Sequence, residues 1–192
     1  MRLSNLVVVF GLLAVGLSLA GCPAKTAIDY AIEARSAEDI AKDNEIVFDV
    51  NKIMVDLGTI KASTEIYEQR LLVTGLFDDK ALFDDFKARV SQVEDVKKLY
   101  WHTTYMSEAD QEKNKANLMS WDDALILDNK VGIHLFETKG LADVNFRVTV
   151  DSFGTVYLIG RARSQEELNK AIKVATETEG TRKVLSYVEV RP

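Results

Sequence analysis

The spacing of apolar residues along the chain changes between two periods, and each change marks an element. Apolar residues recur at helical spacing between Ile46 and Leu57, which predicts a helix with one buried stripe. Short β-type runs follow at residues 62–66 and 71–73 with polar residues between them, and Gly75 closes the second run. The pattern therefore begins with a helix and a hairpin.

A second helix and a final strand complete this unit. Asp79 stands before an amphipathic stretch that includes Phe83 and Phe86, where an aspartate is a typical N-cap. The unit ends in a strand at residues 98–105. The order helix, strand, strand, helix, strand predicts an α+β fold in which a small mixed sheet is packed by two helices.

The pattern occurs twice in the chain, at one constant offset and without a gap. Identical residues recur in this frame: Asp43 and Asp128, Asn44 and Asn129, Thr64 and Thr149, Gly75 and Gly160, Glu94 and Glu179, Lys98 and Lys183. Ser164, with Glu167 at capping-box spacing, is the counterpart of Asp79. We therefore expect two tandem αββαβ units, each small enough to depend on docking against its twin.

One strand does not follow the ungapped frame. The apolar positions of residues 144–150 alternate in the opposite phase to those of residues 60–66. A shift of one residue reverses the buried face of a strand. Two explanations stay open from the sequence, which are a bulge in one hairpin and a wrong assignment of one strand's buried face.

The first residues are typical of an export signal, with Arg2 before an apolar stretch from Leu6 to Leu19. The stretch is short for a bilayer span, so a cleaved signal fits better than a transmembrane helix. Its end, Leu-Ala-Gly-Cys at Cys22, resembles the lipobox of bacterial lipoproteins, which implies cleavage before Cys22 and acylation of its thiol with chains such as palmitate. The alternative is an ordinary signal peptide that ends near a buried cysteine.

These features divide the chain into five parts: a lipoprotein signal peptide at 1–21, a lipidated tether at 22–39, a first domain at 40–106, a polar linker without periodicity at 107–119, and a second domain at 120–192. Arg2 is the only charged residue of the signal, so its loss changes 24 basic residues to 23, against 30 acidic ones, and the net charge from −6 to −7. This acidity disfavours a nucleic-acid partner.

The candidate catalytic and metal-binding groups are few. His102 and His134 are the only histidines, and the chain has no Gly-x-Ser-x-Gly motif, so we expect no enzyme and no cofactor. The acidic residues at 78–85 lack the spacing of a calcium loop and suit a helix start and a solvent face, so we expect no metal site.

The second hairpin, with Val156, Leu158 and Gly160, and the stretch at 179–184 resemble the BON domain. The first copy has Leu71, Val73, Gly75 and residues 94–99 in the same places, but Gln69 and Asp95 where the second has Gly154 and Gly180. With the lipobox, the chain is similar to dual-BON outer-membrane lipoproteins. This resemblance implies a non-enzymatic protein, lipid-anchored in the outer membrane and facing the periplasm, that binds phospholipid and supports outer-membrane integrity. Pro23 follows the cysteine, where lipoproteins retained in the inner membrane typically carry Asp, so the resemblance to this sorting pattern favours the outer membrane.

The helix that opens the second copy has more apolar residues than one buried stripe needs. The resemblance implies that this helix contacts anionic lipid, through Ile126, Lys130 and Ile133, with Trp121 as an interfacial anchor just upstream. Two alternatives stay open. Ile126 and Ile133 pack against the first copy, or the helix binds an outer-membrane assembly protein and makes the chain an adaptor without direct lipid recognition.

Overall fold

A computed structural model describes residues 33–192, which belong to one compact unit. The predicted signal peptide and Cys22 lie outside the described residues. The elements, in chain order, are α1 (Ala37–Asp56), β1 (Ala62–Tyr67), β2 (Arg70–Phe77), α2 (Lys80–Val90), β3 (Lys98–Tyr105), α3 (Glu108–Asn114), α4 (Trp121–Glu137), β4 (Phe146–Val150), β5 (Thr155–Ala162), α5 (Gln165–Glu177) and β6 (Lys183–Val190).

The strands form two three-stranded sheets of the same construction. In each sheet the central strand, β2 or β5, pairs antiparallel with the strand before it and parallel with the strand after its helix. The parallel pairs keep the constant offset of the sequence repeat, since Arg70 lies opposite Lys98 and Thr155 lies opposite Lys183. The predicted αββαβ order and the small mixed sheets are therefore confirmed in both halves.

The lengths of the two hairpin loops explain the opposite alternation. In the first hairpin, Tyr67 pairs with Arg70 across a two-residue turn, Glu68 and Gln69, and both turn residues have positive φ. The second hairpin has three loop residues, because the amide of Asp151 donates to the carbonyl of Thr155. The added loop residue shifts β4 by one position relative to β1, whereas the other strands of the two copies stay in step. When the two copies are compared without a gap, the buried and exposed sides of β4 are therefore exchanged.

This shift corrects one of the sequence pairs. Thr64 lies opposite Val73 in the first sheet, and the residue in the same place of the second sheet is Val148, which lies opposite Leu158. The match of Thr64 with Thr149 was therefore wrong in space. The added loop residue, with Gly154 at φ 73°, belongs to the class of three-residue hairpin loops that carry a bulge.

Three predicted boundaries also differ. Helix α1 begins at Ala37, inside the predicted tether 22–39, because the hydroxyl of Ser36 accepts from the amide of Asp39 and caps it. Strand β2 continues past Gly75 to Phe77. The segment 107–119 contains helix α3, although we expected a linker there, because α3 buries no residue and so shows no apolar period.

The predicted helix caps are present, with one difference. The carboxylate of Asp79 accepts from the amide of Leu82 at 3.0 Å, and the hydroxyl of Ser164 accepts from the amide of Glu167 at 3.1 Å. The Glu167 side chain does not close a capping box on Ser164. It accepts instead from the amides of Arg163 and Ala142, which ties α5 to the loop before β4.

The repeated glycines lie where two segments of chain approach closely. A Cβ atom at Gly75 would collide with the carbonyl oxygen of Lys61, and one at Gly160 would collide with that of Asn145. Each glycine is on a central strand, beside the residue that leads into the antiparallel neighbour. The glycine is therefore required by packing in both copies.

Each sheet has one face covered by its own helices. The first core is formed by Ile46, Val50, Ile66, Leu71, Val73, Phe77, Phe86 and Val90. The second is formed by Ala124, Leu127, Val131, Leu135, Leu141, Phe146, Val150, Val156, Leu158, Ala162, Ala171 and Ala175. These positions follow the predicted helix stripes and the alternation of the strands.

The other faces of the two sheets pack against each other. Tyr67 and Leu72 of the first sheet and Tyr157 and Ile159 of the second form a third buried cluster. The buried Arg70 crosses this interface, where its guanidinium donates to the carbonyl of Gly160 at 2.7 Å. The unit thus has four layers, and each copy supplies half of the central core.

Asp43 fastens the first helix to its hairpin. Its buried carboxylate accepts from the amides of Glu68 and Gln69, at 2.9 and 2.7 Å, and pairs with Arg35 at 3.0 Å. The matching residue of the second copy, Asp128, accepts no hydrogen bond from any residue in 33–192. The longer second hairpin is held instead by Asp151, which accepts from the amides of Phe153 and Thr155.

Asp128 faces the first copy. Desolvation raises its pKa to about 7, and desolvation together with the charge of Asp128 raises the pKa of Glu65, on β1, to about 8. Arg147, on β4, partly offsets the rise at Glu65. Each copy therefore contributes one carboxyl group whose pKa is raised to neutrality or above, mainly by desolvation.

We predict that Asp43→Ala lowers the free energy of unfolding by about 3 kcal/mol, because the change leaves the turn amides and Arg35 without their buried acceptor. The matched control is Asp128→Ala, at the same position of the second copy, which should not lower stability. Urea unfolding followed by circular dichroism measures both. Equal losses in the two variants would contradict the assigned role.

The raised pKa of Glu65 sets the sign of a pH effect on stability. The folded state holds this proton more tightly than the unfolded state. The stabilisation from this proton is therefore full below the unfolded-state pKa near 4.5 and is lost as pH rises toward about 8. Between pH 5 and pH 8, the free energy of unfolding of Glu65→Gln should rise relative to that of the natural protein by on the order of 2 kcal/mol. Urea midpoints at the two pH values test this, with exposed Glu45→Gln as the control that should follow the natural protein.

Candidate functional site

Helix α4 opens the second copy and carries the residues predicted to bind lipid. The hydroxyl of Ser120 caps it by accepting from the amide of Asp123 at 3.0 Å, and the helix runs from Trp121 to Glu137. One face is buried on its own sheet, through Ala124, Leu127, Val131 and Leu135. These positions share a stripe of the helical projection, which fixes the rotation of the helix on the sheet.

The predicted site residues lie on the opposite, uncovered side of α4. Trp121, Ile126 and Ile133 are 57%, 53% and 55% exposed, and Lys130 is exposed as well. Lys130 makes no ion pair within residues 33–192. The alternative that Ile126 and Ile133 pack against the first copy was wrong, because the first copy docks through the inner face of its sheet.

Two residues of this surface did not enter the sequence prediction. Leu125 is 44% exposed and Phe136 is 51% exposed. In the helical projection both lie between Trp121 and Ile133, in an exposed arc that also contains the polar residues Asp122 and Asn129. A helical projection of residues 121–137 identifies Leu125 and Phe136 from the sequence alone, because both residues fall outside the buried stripe. We name the surface of Trp121, Leu125, Ile126, Ile133 and Phe136 the apolar face of α4.

The first copy lacks a comparable face among the described residues. In the frame of the repeat, Ala41 and Glu45 of α1 stand where α4 has Ile126 and Lys130. Phe48, which matches Ile133, is 67% exposed, but its neighbours in the small depression beside it are Asn44, Glu45 and Asp49. The apolar face of α4, with a lysine at its edge, is thus a feature of the second copy.

Both histidines have structural partners. The Nε2 atom of His102 lies 2.6 Å from the hydroxyl of Tyr187 across the sheet interface, and the Nδ1 atom of His134 lies 3.0 Å from the hydroxyl of Thr178. Burial lowers the pKa of His102. Residues 33–192 hold no group of three or more acidic, histidine or cysteine side chains placed to bind a metal ion.

Within residues 33–192, no helix is long and apolar enough to cross a membrane. The apolar face of α4 is one side of an amphipathic helix, and such a side can lie in the plane of a membrane interface or contact another protein.

Relatives of known sequence or structure resemble most of the chain. An uncharacterized protein in the gshII 5′ region of Anaplasma centrale is 28% identical over 153 residues, which cover 78% of this chain and 95% of that protein. A solved structure of CdsD, a structural protein of the Type III secretion system of Chlamydia trachomatis, is 12% identical, with a TM-score of 0.29 and coverage of 77% of this chain and 93% of that chain. A second structure, of the CdsD C-terminal domain, gives the same identity and TM-score.

A family model matches the part of the chain that contains the apolar face. The BON domain model covers residues 123–192, from the first turn of α4 to the last residue. The sequence had indicated this family through Val156, Leu158 and Gly160, which lie on the central strand β5. Residues 123–192, from the first turn of α4 to the end of the chain, therefore match the BON domain family.

Proposed function

We propose that the protein is a lipid-anchored component of the bacterial outer membrane that binds phospholipid through the apolar face of α4 and helps to keep the envelope intact. The observation that carries the proposal is the exposure of Ile126 and Ile133 on a helix that lies mostly within the match to the BON domain, a domain associated with phospholipid binding. On this proposal the protein has no catalytic role and needs no cofactor.

The geometry of α4 suits shallow insertion into a bilayer. Five large apolar side chains share one side of the helix, and full burial of such a side chain contributes about 1.5–3 kcal/mol. Because each is already about half covered, each would add on the order of 1 kcal/mol on insertion. Trp121 lies at the start of the helix, where an indole suits the boundary between headgroups and acyl chains.

Because the protein is acidic, its binding to an anionic membrane must depend on burial of apolar side chains. The full chain carries a net charge of −6, so an anionic surface repels it at long range. Lys130, at the edge of the apolar face, supplies a local positive charge that is not engaged by another described residue. Lipid contact would therefore depend on insertion, with Lys130 as a local aid.

A permanent anchor fits such a weak contact. One helix face and one lysine give reversible binding, whereas the several acyl chains implied at Cys22 hold a protein on a bilayer essentially permanently. We propose that the segment before α1 tethers the folded unit, and that α4 then meets the same membrane or a neighbouring one. Pro23 supports sorting to the outer membrane.

We also propose that the first half is a diverged BON copy. Its strand order and parallel register match those of the second half. Its divergence at the lipid-facing positions, with Ala41 and Glu45, agrees with a supporting role in which its sheet covers the inner face of the second sheet.

The vesicle prediction uses a soluble chain from Pro23 to Pro192, which contains the whole described unit. We expect it to sediment with vesicles that contain phosphatidylglycerol. Ile126→Asp combined with Ile133→Asp should lower the partition coefficient by about tenfold or more, because each change places a charge on the inserting face. The matched control is Phe48→Asp, an equally exposed residue at the position of Ile133 in the first copy, which should leave partition unchanged.

Other outcomes of that assay identify the rival functions. No sedimentation of the natural sequence would reject the lipid proposal and favour an adaptor that binds an outer-membrane assembly protein through α4. Release of fatty acid or headgroup from the vesicles would reject the non-enzymatic proposal. Equal losses for Phe48→Asp and the α4 variant would show that added charge, rather than the apolar face, controls binding.

The anchor gives a separate prediction in cells. Cys22→Ala removes the thiol that would receive the lipid, so we expect an unacylated protein that leaves the membrane fraction. Incorporation of labelled palmitate and fractionation measure the two effects. A Cys22→Ala protein that remains fully membrane-bound would contradict the anchor, whatever the vesicle assay gives.

A further inference from the structure

A second surface lies between the two copies, on another side of α4. An open cleft of about 840 Å³ is lined by the start of β1, the end of β2, helix α3, the first half of α4 and the loop after β4. Both copies and the segment between them therefore contribute walls. The outer apolar face and this cleft share only the rim residues Trp121 and Leu125.

The cleft combines acidic and apolar groups. Its acidic lining residues are Asp78, Glu108, Glu112, Asp123, Asp128 and Asp151. Its two basic residues are already engaged, since Lys61 pairs with Asp78 and Lys115 pairs with Glu112. The lining thus keeps an excess of negative charge and attracts cations.

The apolar part of the lining is unusually accessible. Ile60, just before β1, is 78% exposed, and it shares the cleft with Trp121 and Leu125 of α4. Met119 and Leu118 of the connecting segment add to the same wall. An occupant that satisfies this surface needs apolar side chains as well as positive charge.

Asp128 gives the cleft a carboxylate that no residue in 33–192 engages by a hydrogen bond or an ion pair. The longer second hairpin removed the turn amides that Asp43 holds in the first copy, and Asp128 lines the cleft instead. The charged groups around it are Glu65 on β1, Arg147 on β4, Lys61 and Asp78 on the far wall, and Asp123 and Asp151 beside it. A cation in the cleft would stabilise the ionised form of Asp128.

We propose that this cleft docks a basic amphipathic segment of a partner protein, with apolar side chains against Ile60, Trp121 and Leu125 and with Lys or Arg side chains against the acidic walls. Charge complementarity selects this occupant, because the lining repels phosphate groups and so disfavours lipid headgroups and nucleic acid. The open shape and the apolar wall fit a helix in a groove better than a lone small cation.

The docking site and the lipid site share Trp121 and Leu125, and their other residues lie on different sides of α4. Asp128 and Leu125 lie on the cleft side of α4, whereas Ile126, Lys130 and Ile133 project to a different side of the helix and do not line the cleft. Because both proposals use Trp121 and Leu125, a membrane that buries these two side chains competes with the basic segment for them. The two proposals fail separately, because different variants remove each surface.

The test uses the soluble chain from Pro23 to Pro192 and a synthetic amphipathic peptide with leucines on one face and lysines on the other. The peptide spans about six helical turns, which is beyond the length at which isolated helices are marginal. Fluorescence anisotropy of the labelled peptide measures the dissociation constant. We expect binding, and no binding of the same peptide with glutamates in place of the lysines. No binding of the lysine peptide, or equal binding of both peptides, would overturn the proposal.

Matched charge changes locate the site. Glu108→Gln with Asp128→Asn removes two cleft charges and should weaken binding about tenfold or more. Asp122→Asn with Glu137→Gln removes two charges from exposed positions of α4 that do not line the cleft, and should change the dissociation constant less than twofold. Equal effects of the two pairs would mean general charge attraction and would overturn the proposal.

The pH dependence gives a further readout. Because the pKa of Asp128 is raised to about 7, its carboxyl is mostly protonated at pH 6 and mostly ionised at pH 8, while the peptide lysines stay charged. Binding should therefore strengthen between pH 6 and pH 8, and the Asp128 variant should lose most of that change. Ile126→Asp with Ile133→Asp should bind the peptide normally, which keeps this result separate from the vesicle assay.

Discussion

The packing of the two sheets against each other determines what the rest of the molecule can do. Tyr67, Leu72, Tyr157 and Ile159 bury one face of each sheet, and helices bury the other. A unit of about 70 residues has a small core, so this shared layer supplies burial that neither half has alone. Arg70 adds directional hydrogen bonds to this layer, because its guanidinium donates to backbone carbonyls of the other copy. Since both faces of both sheets are occupied, no described element is left to cover the outer side of α4. Its large apolar residues are about half exposed in the described unit.

Duplication allowed the two copies to divide their roles. The same aspartate position holds a hairpin turn in the first copy and lines the cleft in the second, and one added residue in the second hairpin accounts for the difference. The same helix face carries Glu45 in the first copy and Lys130 in the second. These changes leave intact both the parallel strand register and the close approach of Gly75 and Gly160 to the segment before the antiparallel strand. Thus the fold stayed fixed by its core and glycines while the exposed positions of one copy changed.

The two surfaces proposed as functional lie on one helix but depend on different physics. The apolar face of α4 acts through burial of hydrocarbon, which is insensitive to salt, and the cleft acts through a field that salt screens. Trp121 and Leu125 belong to the rim of both. Occupation of one surface can therefore influence the other through these two side chains.

The sequence by itself determined the elements, their repeated order and the residues that point inward. Helical and alternating periods reflect which side of an element is buried, so β3 was predicted with its observed bounds, and Ile126 and Ile133 were identified as surplus to one buried stripe. Trp121 and Lys130 were added by the resemblance to the BON domain. The exact hairpin register was not available, because an ungapped comparison has no place for one added loop residue between Val150 and Thr155. Helix α3 was missed since it buries nothing and leaves no period. Only the tertiary structure decided that the two copies meet through their sheets. This packing left Ile126 and Ile133 exposed and brought Asp128 close enough to Glu65 for their charges to interact. The sequence could not show it, because contacts between distant segments depend on packing in three dimensions and leave no local pattern along the chain.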